Sequence, residues 1–203
     1  MHISEGFLSP QALAAGWAMS AAGIAYGLKR TDPDKIVRTA MLSSAFFLAS
    51  LVKVNIGPSS THLSFVAPMG LLLAWSAYPA VFSALLLQAV LFQFGGLAVL
   101  GVNTASMGAS AVLSYILFGS AVRCGNAKLS AAAAFAAGAF GVLCGAAITG
   151  AWLVLSDADM TASVGILLAA HLPVALIEGA VTSMMTVFLR RTFPDVLRPG
   201  ELR

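Results

Sequence analysis

The sequence predicts an all-α fold: a polytopic membrane protein with about seven transmembrane helices, its N-terminus outside and its C-terminus cytoplasmic. Three observations carry this expectation. Of 203 residues, 59% are hydrophobic and only 9% charged, against about 25% charged in a soluble domain. Several apolar runs approach the roughly 20 residues that cross a bilayer as a helix. The basic residues also fall into alternate loops, the pattern of the positive-inside rule.

The elements follow in order. Ser9-Pro10 reads as an N-cap followed by proline at the first helical position, and a first helix runs to about Leu28. It is rich in Ala and Gly, including Gly23-x-x-x-Gly27, which lets a neighbouring backbone come close. The polar stretch Lys29 to Lys35 precedes a second apolar segment, about Ile36 to Val54. The Gly57-Pro58 pair and the consecutive serines after it mark an ordered turn over Asn55 to His62. A shorter third segment covers about Leu63 to Trp75, and Ser76-Ala77-Tyr78-Pro79 breaks it from a fourth that extends to about Phe94. Gly95-Gly96 and Gly101-Val102-Asn103 frame the next loop, with a fifth helix over about Thr104 to Val122. A sixth helix reaches about Leu155 beyond the basic loop Arg123 to Lys128. The acidic Asp157-Ala158-Asp159 loop leads to a seventh, about Thr161 to Leu189. The chain reads as one transmembrane domain, 1–203, with an N-terminal segment 1–7, a helical bundle 8–190 and a cytoplasmic tail 191–203.

With seven spans, ten of the eleven basic residues lie on one side, and only Lys53 lies on the other, with Glu5, Asp157 and Asp159. The basic side is expected to be cytoplasmic. The segment before the first apolar run lacks Lys and Arg and carries Glu5, which is not a secretory n-region. The N-terminus is therefore expected to be retained, and a residue as large as His2 disfavours removal of Met1. Cys124 and Cys144 are too few and too differently placed for a zinc cluster or a disulfide framework.

Met1-His2 is the most informative dipeptide. The α-amine of Met1, the amide nitrogen of His2 and the imidazole of His2 can close a five-membered and a six-membered ring on one metal ion. Planar nitrogen coordination suits Ni(II) or Cu(II), with Co(II) also accommodated. By position alone His2 would be one more frayed terminal residue. The topology, however, puts it on the same side as the Ser59-Ser60-Thr61-His62 turn, so His62 could supply a fourth nitrogen. Asn103 reads equally as an N-cap of the fifth helix or as a group that closes the site. His171 and Glu178 are ionisable residues inside the seventh helix, seven apart and so on one face. They read as interhelical contacts or, for His171, as support for the metal site. Gln88 and Gln93 read as interhelical hydrogen-bonding groups.

Met-His-Ile-Ser-Glu-Gly-Phe-Leu-Ser-Pro at the start, Ile56-Gly57-Pro58-Ser59-Ser60-Thr61-His62, Leu87 to Gly96, and Leu100-Gly101-Val102-Asn103-Thr104 together resemble the CbiM/NikM family. These are the substrate-binding components of energy-coupling factor transporters for cobalt and nickel. The resemblance covers almost the whole chain. It implies a seven-helix bundle with an inserted N-terminus and a metal site of Met1, His2 and His62; Ser60, Asn103, His171 and Glu178 stand beside that site as residues read to be supporting or structural. The transported substrate is then cobalt(2+) or nickel(2+). Ser4-Glu5 and Trp17 lean towards cobalt members, whereas a planar nitrogen site favours nickel by intrinsic affinity.

The implied partners are a transmembrane coupling component, ABC-type ATPase subunits and a small accessory membrane subunit, with contact faces at Ala45, Ala49, Gly23 and Gly27. No nucleic-acid partner is expected, and the implied location is the bacterial inner membrane, with a role in supplying cobalamin synthesis. The sequence has no Gly-rich phosphate loop ending in Lys-Ser/Thr, so energy is expected from partners. Two rivals remain: a stand-alone nickel or cobalt permease or channel, and an intramembrane metalloenzyme using His62, His171 and Glu178. The lack of a His-Glu-x-x-His motif weighs against the second.

Overall fold

The computed structural model describes residues 2–51, 53–56 and 59–197. Its helices are α1 (Pro10–Arg30), α2 (Ile36–Ala49), α3 (Val66–Leu73), α4 (Ala77–Phe92), α5 (Leu100–Val122), α6 (Ala127–Ser156) and α7 (Thr161–Thr192). A small sheet joins them, made of β1 (His2–Ile3), β2 (Lys53–Ile56) and β3 (Ser59–His62), with β3 in the middle and both pairings antiparallel. Four intervals are long and apolar enough to cross a bilayer: Val66–Phe92, Leu100–Val122, Ala127–Ser156 and Ala158–Thr192. Ile36–Ala49 is a shorter apolar helix.

Local chemistry explains the helix starts. Ser9 Oγ accepts from the Ala12 amide at 3.3 Å, with Pro10 in the first turn, as the sequence predicts. Asn126 caps α6, its Oδ1 accepting from the Lys128 and Leu129 amides at 3.0 and 3.2 Å. Each cap supplies an acceptor for amides that have no partner within their own helix.

The bundle is apolar on its outside, and polar side chains are enclosed within an otherwise apolar core. Ser20, Gln88, Ser110, Ser114, His171 and Thr182 are fully enclosed, while Val37, Met41, Leu155 and Met184 are each about 70% exposed. An apolar outer wall with the polar side chains kept inside suits a hydrocarbon solvent, because lipid cannot satisfy hydrogen-bonding groups.

Several expectations need correction. The second apolar segment, predicted to run to Val54, is helical only to Ala49. Ser50 Oγ turns back onto the Phe46 and Phe47 carbonyls at 2.8 and 2.9 Å, and the chain then enters β2. In the stretch read as a turn over Asn55 to His62, Gly57 and Pro58 lie outside the described residues, and the chain on either side pairs as two antiparallel strands, with Lys53 opposite His62 and Ile56 opposite Ser59. Their backbone groups are satisfied by strand pairing where no helix is available to do so.

The third segment is not a spanning helix. The α3 helix has eight residues, about 12 Å long against roughly 30 Å of hydrocarbon. Val66 packs near Gly141 in the middle of α6. At the other end of α3, the Leu71 carbonyl receives Arg123 at the end of α5. The backbone reverses at Ala74 (φ 51, ψ −121). The α4 helix then returns past Gly23 and Gly108, both of which face the Tyr78 ring, towards the start of α5. Gly70 lets α3 seat this closely: a Cβ there would fall 1.8 Å from the Ala111 carbonyl oxygen.

The fifth helix starts at Leu100, not Thr104, so Asn103 lies inside its first turn and is not its cap. Gln93 is also no interhelical bridge, because it ends α4 in a left-handed conformation (φ 54) and is exposed. Gln88 does bridge helices, its Nε2 donating to Ser50 Oγ.

The bundle has two chemically distinct ends. At one, Arg190 donates to the carbonyls of Val122, Cys124 and Gly125, Arg123 reaches Leu71 and Gly119, and Arg38 reaches Val196. At the other lies the sheet, with Lys53 in β2. The 23 residues of α5 separate the two by about 34 Å.

Candidate metal centre

The site is built where β1 meets the hairpin. Ile3 is fully buried among Val102 of α5, Trp152 and Leu153 of α6 and Leu167 of α7. Complete burial of such a side chain is favourable by about 1.5–3 kcal/mol, so the beginning of the chain carries its own apolar anchor.

Polar contacts then fix the strand's height and direction. Asn103 Oδ1 accepts from the Ile3 amide at 2.9 Å, and Asn103 Nδ2 donates to the Ile3 carbonyl at 3.1 Å. The Glu5 amide donates to the Gly95 carbonyl at 3.1 Å, and Glu5 Oε1 accepts from the Ala98 amide at 2.9 Å. Gly96 sits directly under this carboxylate in a conformation reserved for glycine (φ 110), and a Cβ there would lie 2.2 Å from Glu5 Cδ.

The register completes the placement. His2 pairs with Ser60 and Ile3 with Ser59. Met1 lies outside the described residues. Among the described residues no group of three or more His, Cys, Asp or Glu side chains converges on a common point.

His62, at the end of β3, is buried. Its Nδ1 lies 2.9 Å from the Leu63 carbonyl, and its ring meets the edge of Phe46 at 6.4 Å between centroids. A carbonyl can only accept, so Nδ1 donates, and in the neutral ring Nε2 carries the lone pair. Such a carbonyl contact commonly sets the tautomer of a metal-binding histidine.

The remaining candidates separate. His171 is fully buried one turn after Leu167, to whose carbonyl its Nδ1 is bonded at 2.7 Å. It thus stands just below the apolar cluster that holds Ile3. Glu178 accepts from the backbone amides of Ser64 and Phe65, just beyond His62. Gly23 and Gly27 are used inside the chain, against Tyr78 and against the Trp75 carbonyl and Pro79 respectively; Ala45 stays exposed on α2. The sequence reading missed Glu5 and Gly96, for which the only available signal was an acidic residue and a Gly-Gly pair far apart in the chain.

The chain was compared with known proteins. The family model described as the cobalt uptake substrate-specific transmembrane region matches residues 2–196. A putative metal transport protein of Haemophilus influenzae is 36% identical over 203 residues, covering 99% of this chain and 98% of that protein. The cobalt transport protein CbiM of Sorangium cellulosum is 33% identical, over 97% of this chain and 94% of that one. A fused nickel transport protein of Rhodobacter capsulatus is 29% identical over 98% of this chain and 64% of its own length. A crystal structure of a truncated transition metal transporter has the same fold, with a TM-score of 0.75 at 24% identity, covering 94% of this chain and 99% of that one.

Proposed function

Because the chain belongs to the cobalt uptake substrate-specific transmembrane family, we propose that it is the substrate-capturing component of an ATP-driven importer for cobalt(2+) or nickel(2+). The observation that carries this reading is the register of β1 on β3. Position 2 stands opposite position 60, and 62 is two residues further along the same strand. The two histidine positions therefore belong to one face of the ladder as diagonal neighbours, about 7–8 Å apart, a span one metal ion can bridge.

In this reading the ion is held by four nitrogens: the Met1 amine, the His2 amide and imidazole, and His62 Nε2. Asn103 and the Glu5–Gly96 contact hold the terminal strand at the depth the chelate requires. The sheet end faces outward and the basic end the cytoplasm, with α1, α2, the α3–α4 pair, α5, α6 and α7 producing the seven-segment arrangement. Reorientation and release are driven by a coupling membrane protein, ABC-type ATPases and a small accessory subunit, with the exposed Ala45 face of α2 offered for contact. Imported cobalt would serve cobalamin synthesis.

The test is to add one residue before Met1, or to acetylate its amine, and titrate Ni(II) and Co(II) into purified protein. Either change should abolish tight binding. Unchanged affinity would overturn the ligand set. Uptake by vesicles containing this chain alone would instead favour a stand-alone permease.

A further inference from the structure

Glu178 is the most deeply enclosed carboxylate among the described residues, 1% exposed. Its hydrogen bonds reach the backbone just ahead of α3. Oε1 accepts from the Ser64 amide and from the Phe65 amide at 3.0 Å, and Oε2 from the Phe65 amide at 3.2 Å.

Those amides open α3, and α3 has no cap of its own. Its N-cap position is Phe65, which has no hydrogen-bonding side chain and is held in a left-handed conformation (φ 48). An amide left unsatisfied at this depth costs several kcal/mol, and the start of α3 carries the positive end of its dipole. A two-oxygen acceptor from another helix answers both. The helix that supplies it is held close: a Cβ on Gly138 of α6 would fall 2.6 Å from the Glu178 carbonyl oxygen, leaving α7 little freedom to slide.

Ser64 is two residues after His62, with Leu63 between them providing the carbonyl that sets the His62 tautomer. The strand side of His62 is fixed by β2 and β1. Its helix side is fixed by Glu178. We propose that Glu178 is a positioning residue for the His62 ligand: it anchors the chain just beyond the imidazole, so that Nε2 stays at bonding distance from the ion. This rests on the four-nitrogen reading above and adds to it a residue that touches no metal.

The test uses full-length protein in detergent or nanodiscs, with Cu(II) electron paramagnetic resonance and Ni(II) titration on Glu178→Gln, Glu178→Asp and Glu178→Ala, alongside His62→Ala. Wild-type protein should show four nitrogens. Glu178→Ala should weaken Ni(II) binding about 10–100-fold, the usual cost of losing support behind a ligand, and shift the spectrum towards the three-nitrogen pattern of His62→Ala. Glu178→Gln, which keeps one acceptor oxygen, should fall between. The Asp and Gln variants keep the test decisive if the Ala variant does not fold. Wild-type affinity and a four-nitrogen spectrum in the Glu178 variants overturn the positioning role, even where the metal-free protein melts earlier. If His62→Ala itself changes neither affinity nor spectrum, the four-nitrogen reading fails and this inference with it.

Discussion

Asn103 grips Ile3 with both atoms of its amide, accepting from the Ile3 N–H at 2.9 Å and donating to the Ile3 carbonyl at 3.1 Å. A side chain on the first turn of α5 thus acts as one rung of a ladder, continuing the sheet on the edge of β1 that β3 does not use. All four atoms of this exchange are buried, with Ile3 at 0% and Asn103 at 3% exposure. Losing it strands two backbone groups at about 1–3 kcal/mol each. Asn103→Ala is expected to reduce Ni(II) or Co(II) affinity by at least tenfold, since 1.4 kcal/mol is a factor of ten. Asn103→Asp, which cannot donate to the carbonyl, should fall nearly as far. Isothermal titration on both variants checks this.

Gly96 makes a second, independent prediction. Gly96→Ala forces a side chain into a left-handed position and into the Glu5 carboxylate. The expected result is a displaced β1, with metal affinity reduced and the N-terminal amine labelled faster by an acylating reagent. Glu5→Ala should relieve the collision but lose the Ala98 contact, so the double variant should recover only part of the affinity.

Binding should depend on pH in a defined direction. An ordinary α-amine titrates near 8 and an imidazole near 6.5, and each must shed its proton to bind, as must the His2 amide. Affinity should therefore be greatest at alkaline pH and fall steadily from about pH 8 to pH 6. Proton release on binding, read from titrations in buffers of different ionisation enthalpy, should exceed one per ion. A flat profile would argue for oxygen donors.

Removing the metal supplies another readout. In the chelator-treated protein the terminal amine should react with an acylating reagent, and saturating Ni(II) should protect it. The protection should disappear in His62→Ala if the plane needs its fourth nitrogen.

Gly70 concerns the scaffold alone. A Cβ placed 1.8 Å from the Ala111 carbonyl cannot be accommodated without moving α3 off α5, since both atoms in conflict belong to backbone. Gly70→Ala should lower the melting temperature of the metal-free protein, by overpacking of about 1–3 kcal/mol. Gly125→Ala, where a Cβ meets nothing within 4 Å, serves as the neutral control.

Composition and periodicity were enough to determine the solvent and the class of this protein, because a chain with 9% charged residues has an apolar outer wall to cover. The cap at Ser9 and the sequestration of basic residues at one end were legible, and Met1, His2 and His62 could be named as candidate ligands, since each depends on neighbours in sequence or on counting charges. The tertiary structure alone decided how these pieces meet. Asn103 is 100 residues from Ile3, and Glu178 is 113 from Phe65. Read locally, the first passes for a helix cap and the second for a contact between helices. Whether an amide or a carboxylate serves a backbone elsewhere depends on which strand or helix end lies within 3 Å of it, and no local pattern records that distance. The hairpin and the half-length α3 escaped for the same reason: an apolar run of eight to fifteen residues satisfies the demands of a helix, a strand or a re-entrant segment alike, and only the partners waiting for its backbone groups select among them.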